Sequence, residues 1–171
     1  MDNITSIKKL SKFLNFFISV GVVFVPIYYI FYWSYLSSSF IDINNDLISL
    51  VKLQLIGFFF SLFPLFTLSY TLLLLKKLLN YYENGNIFTI EQVLIFKKIA
   101  KYLTLWATLS IGYESIKSVI FSINNIEGNR VFILTVESYQ VILLVVSVII
   151  LLLAKIVSEG NRLNEENKFI I

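Results

Sequence analysis

Residues 13 to 35 read FLNFFISVGVVFVPIYYIFYWSY, an uncharged run of twenty-three positions. As a helix rising 1.5 Å per residue it would span about 35 Å, more than the roughly 30 Å of hydrocarbon in a bilayer. Lys8, Lys9 and Lys12 precede it, which resembles a signal peptide. The run is too long for one, however, and lacks a small-x-small cleavage site, so it reads as a retained transmembrane helix. Three further runs follow, at about 53–75, 103–121 and 131–154. They are joined by a loop over 76–102 and followed by a tail over 155–171. The expected fold is an all-α membrane protein of one domain over 1–171, with four transmembrane helices in one bundle.

Composition agrees. Hydrophobic residues make up 57% of the 171 positions, charged residues 15%, and the mean hydropathy is +0.80. A soluble domain is nearer 45–50% apolar. The net charge of +3 does not point to direct nucleic-acid binding, because the basic residues flank the hydrophobic runs, where lipid headgroups account for them.

Their distribution sets the orientation. Lys8, Lys9, Lys12, Lys76, Lys77, Lys97, Lys98, Lys101, Lys155, Arg162 and Lys168 fall on one side. Only Lys52 and Arg130 fall on the other, beside Asp42, Asp46 and Glu127. Lys/Arg bias in short loops places both termini in the cytoplasm.

Chemistry is excluded as readily. Without Cys or His there are no disulfides, thiolates, imidazole acid/base groups or zinc sites of the usual kind. Asp42 and Asp46 lie in an outer loop, not as the paired intramembrane residues of an aspartyl protease. Ser115, Lys117 and Ser118 are neighbours on a helix and do not converge as a Ser-Lys nucleophile requires. No glycine-rich phosphate loop is present. The expectation is a non-enzyme without cofactor or metal.

Inside lipid, small and polar faces are the ones that pack on other helices. In helix one these are Asn15, Ser19, Val22, Pro26, Tyr29 and Trp33; in helix two, Gln54, Gly57, Ser61, Pro64 and Leu68, with kinks expected at both prolines. Helix three has two such faces: Ala100, Thr104, Thr108 and Gly112 on one, Trp106, Ser110, Glu114 and Lys117 on the other. Helix four carries Arg130, Glu137, Gln140, Ser147 and Ala154. Lys117 and Glu137 each fall about 9 Å below the outer surface. A polar cluster of Glu114, Lys117 and Glu137, with Arg130 nearby, is therefore expected, as a clamp between helices three and four or as an ion path.

Two inner segments carry local signals. Asn84-Gly85-Asn86 ends helix two, while Thr89, with Gln92 three residues on and Glu91 in the first turn, caps helix three. The stretches Tyr82 to Glu91 and Glu159 to Asn167 together resemble the bacterial membrane family catalogued as domain of unknown function 2975. The matching positions are Gly85, Phe88, Thr89 and Glu91, then Glu159, Gly160, Leu163, Glu166 and Asn167.

That resemblance implies a multi-pass protein of the bacterial cytoplasmic membrane, frequently encoded beside a small helix-turn-helix regulator. Residues 86–89 could pair with 168–171 as two short strands, or the tail could dock under the bundle. Three functions remain open: binding a small DNA-binding regulator through loop and tail, a small transporter or channel component, and an accessory subunit or homo-oligomer within a larger membrane complex.

Overall fold

The structure, a computed structural model, describes the backbone of residues 2–40, 47–122 and 132–168, and side chains within 4–33, 55–120, 122 and 132–166. Four helices follow one another: α1 (Asp2–Phe40), α2 (Leu47–Glu83), α3 (Ile90–Ser122) and α4 (Ser138–Lys168). The described residues contain no strand. Three helices, α1, α2 and α4, are long and apolar enough to cross a membrane. The third, which carries Glu114 and Lys117, is as long but not among them.

Among the described residues, helix backbones pack only in chain order, α1 on α2, α2 on α3 and α3 on α4. The bundle expected from sequence is seen here as a chain-order packing of neighbouring backbones, with side chains reaching one helix further, as Trp33 of α1 does to Tyr113 of α3. The core is accordingly thin, built on Leu74, Leu78, Ile95, Ile99 and Leu103 between α2 and α3. Phe13, Phe16, Phe24 and Phe31 of α1 and Ile142, Val148 and Leu152 of α4 are exposed. Such large apolar surfaces suit hydrocarbon, not water.

The packing faces follow the small and polar residues. Gly57, Ser61, Pro64, Thr67 and Thr71 are buried along α2. Within it, Thr67 Oγ1 donates to the Pro64 carbonyl at 2.9 Å and Thr71 Oγ1 to that of Thr67 at 2.8 Å, so burial leaves these hydroxyls satisfied. Trp33 crosses from α1, its ring against Gly57 and 6.5 Å from that of Tyr113 on α3. Of the small row on α3 only Ala100 is buried, while Thr104, Thr108 and Gly112 are exposed. Thr104 nevertheless donates to Ser147 Oγ on α4 at 3.0 Å.

One boundary differs from expectation. The fourth apolar run starts at Val131, but α4 starts at Ser138, and residues 132–137 have no regular structure. Hydropathy cannot see this boundary because both sides of it are apolar. What marks it is the Gln140 side chain, which accepts a hydrogen bond from the Glu137 backbone N–H at 2.8 Å, half of a capping box. The preceding segment is tied to α3 by the Ile133 N–H, which donates to Ser118 Oγ at 3.2 Å.

Candidate functional site at the lysine-rich end

The turn between α2 and α3 is specified residue by residue. The Gly85 N–H donates to the Tyr82 carbonyl at 3.0 Å and the Asn86 N–H to that of Tyr81 at 3.0 Å, the paired bonds of a Schellman ending. Gly85 takes φ +79°, a left-handed conformation that glycine adopts without a Cβ clash.

Four residues later the next helix is capped. Gln92 N–H donates to Thr89 Oγ1 at 3.4 Å and Thr89 N–H to Gln92 Oε1 at 3.1 Å, the reciprocal pair of a capping box. Gln92 Nε2 then donates to the Asn86 carbonyl at 2.7 Å, and its side chain is fully buried. One glutamine thus ties both ends of the connection.

Between the caps stands Phe88, whose φ of +61° is unusual for a residue with a side chain and is held in place by its surroundings. Its ring lies on Gly160 of α4, where an added Cβ would come within 2.7 Å of Phe88 Cδ1. A glycine inside a helix costs roughly 1 kcal/mol relative to alanine. Close approach of the Phe88 ring is what that vacancy permits.

The first helix joins from the other side. Asn15 Nδ2 donates to Asn80 Oδ1 at 2.7 Å and to Glu83 Oε1 at 2.9 Å. The Lys8 side chain lies over Gly85, within 2.9 Å of where a Cβ would stand. A cation there also suits the negative end of α2. The last turns of α4 are braced at the surface, Arg162 pairing with Glu159 and, at 3.8 Å, with Glu166.

At the opposite end, Lys117 Nζ lies 2.5 Å from Glu114 Oε2 on the same helix and 5.8 Å from the centre of the Tyr113 ring. Both charged side chains are about a quarter exposed or less. Glu137 caps α4 through its backbone and makes no ion pair among the described residues. The cross-helix Lys117–Glu137 contact expected from depth is thus replaced by a pairing along α3, because Glu137 stands before the helix and not on its stripe. Arg130 and the side chain of Gln54 lie outside the described residues, as do Asp42, Asp46 and Glu127.

Residues 13–171 match the family described as Protein of unknown function (DUF2975). The chain belongs to that family. No curated protein and no solved structure matches it.

In this DUF2975 chain the two segments that carry the family resemblance meet where Phe88 lies on Gly160. Gly85 and Thr89 shape the turn that presents Phe88, and Glu91 begins α3. Glu159 and Glu166 hold Arg162 along the tail helix, and Leu163 follows Gly160 on the same face, half exposed. Asn167 is helical, its side chain outside the described residues. Of the two-strand pairing expected between 86–89 and 168–171, the described residues show 86–89 as an irregular connection and Lys168 as helical, while 169–171 lie outside the described residues. Sequence reasoning missed the lock of Asn15 on Asn80 and Glu83, and that of Lys8 on Gly85. Neither has a local signal, since more than sixty residues separate the partners.

Proposed function

We propose that this protein is a non-enzymatic, multi-pass protein of the bacterial cytoplasmic membrane, with α3 as its fourth span and the lysine-rich end in the cytoplasm. There it binds a small helix-turn-helix regulator through the 76–102 connection and the 155–168 part of the tail, controlling that regulator's availability. The supporting observation is the contact of Phe88 with Gly160, which makes one surface of two distant segments. Around it Phe88 is 43% exposed and Leu163 50% exposed, an apolar pair among charged neighbours. An anchor of this kind, aromatic and rigid, is what interfaces concentrate their affinity in.

Orientation rests on the eleven-to-two distribution of Lys and Arg. Spanning by α3 is supported by its place between α2 and α4 and by the mutual neutralisation of Glu114 and Lys117, which lowers the cost of carrying both into lipid. That same pairing, closed within one helix, favours local charge neutralisation over both the clamp between α3 and α4 and an ion path.

Co-purification of the full-length protein with the helix-turn-helix regulator encoded beside it tests this reading. Binding should fall at least about tenfold with Phe88→Ala and Leu163→Ala together, the loss of one hot-spot contact. Full binding by that variant, or after deletion of 158–171, overturns the interface. Proteoliposome flux sensitive to Glu114→Gln would favour transport instead.

A further inference from the structure

A cavity of about 330 Å³ opens between α2 and α3, lined by Tyr70, Leu73, Leu74, Lys77, Tyr81, Glu91, Leu94, Ile95 and Lys98. From its chemistry we infer that it holds the headgroup and upper acyl chain of a monoanionic diacyl phospholipid with a hydroxyl-bearing headgroup. This site rests on the membrane reading above but not on the regulator.

The lining residues are ordered by depth. Tyr70 and Tyr102 pack against each other with ring centres 4.6 Å apart and planes tilted by 59°, which fixes the level at which the antiparallel helices face each other. Counting from that pair at 1.5 Å per residue, Lys98 stands about 6 Å higher, Lys77 about 10 Å and Glu91 about 16 Å. Leu73 and Leu74 lie between the tyrosines and Lys77. The cavity therefore passes from the Tyr70, Leu73 and Leu74 walls, through two ammonium groups from different helices, to a carboxylate at its mouth, where Leu94 and Tyr81 complete the wall. Hydrocarbon, phosphate and polar headgroup follow one another in the same order and over a similar distance in a bilayer leaflet.

Charge selects among lipids. Neither Lys77, Lys98 nor Glu91 enters an ion pair among the described residues. Two ammonium groups and one carboxylate leave one net positive charge, matched by a single phosphodiester. Both lysines can donate to its oxygens, as they would to any phosphate. Glu91, an acceptor when ionised, can take hydrogen bonds from headgroup hydroxyls. An acyl chain has Leu73, Leu74 and the Tyr70 ring to lie against.

The test is native mass spectrometry of the full-length protein in detergent, titrated separately with phosphatidylglycerol, phosphatidylethanolamine and inorganic phosphate. Phosphatidylglycerol should be retained, and Lys77→Gln with Lys98→Gln should weaken retention by about fivefold for each lysine. Lys76→Gln with Lys97→Gln removes the same charge from neighbouring positions outside the cavity and should change retention less than twofold. Equal loss in the two double variants, equal retention of phosphatidylethanolamine, or equal binding of inorganic phosphate each overturns the site. Circular dichroism of every variant separates lost binding from lost folding. Failure of the membrane reading would show separately, as extraction of the wild type from membranes by alkaline carbonate.

Discussion

At the lysine-rich end, segments from all four helices lock together through backbone geometry and close contacts, whereas at the other end α3 carries a charge pair on its own surface. The first arrangement is specific to residues far apart in the chain: Asn15 with Asn80 and Glu83, Lys8 with Gly85, Phe88 with Gly160. The second, Glu114 with Lys117, is a single helical turn. The comparison teaches that the charged pair of α3 serves to neutralise itself within one helix, while contacts between distant segments concentrate at the lysine-rich end.

Four substitutions sharpen that contrast, each measured as thermal unfolding of the purified protein in detergent. Gln92→Ala should be the most damaging, about 3 kcal/mol. It leaves the Thr89 N–H and the Asn86 carbonyl without their partners in a partly buried turn and empties the space of a fully buried side chain. Gly160→Val should cost about 2 kcal/mol by driving a branched side chain into the Phe88 ring. Unchanged stability in either would mean that the lysine-rich end is not locked as described.

Lys117→Met should cost about 1–2 kcal/mol, between an exposed and a buried pair, by leaving Glu114 alone. Adding Glu114→Gln should recover most of the loss; no recovery would argue against mutual neutralisation. Smallest is Thr104→Val, at about 0.6 kcal/mol, the size of a hydrogen bond between packed membrane helices. A larger effect there would shift weight from the lysine-rich end to the α3–α4 seam.

How much of this was legible depends on sequence distance. Asn84-Gly85-Asn86 and Thr89-x-x-Gln92 gave the turn and cap correctly because such motifs satisfy backbone groups within six residues. The start of the fourth helix was misplaced because Phe132, Ile133, Leu134 and Val136 are as apolar as the helix that follows. That error carried Glu137 onto a stripe it does not occupy, and so produced the expected Lys117–Glu137 contact. Glycine at position 160 was noticed only through resemblance, since nothing local says which ring lies over it.

By itself the sequence determined the number of helices, the lengths of the apolar runs, the side on which the lysines gather and the turn between α2 and α3. These follow from local composition and from backbone hydrogen bonds that close within a few residues. Only the tertiary structure decided that neighbouring helix backbones pack in chain order, that Phe88 rests on Gly160 and that Lys77 and Lys98 share a cavity. Such features depend on how helix faces meet, and in hydrocarbon many apolar faces can meet with similar energy until a few small or polar side chains choose among them.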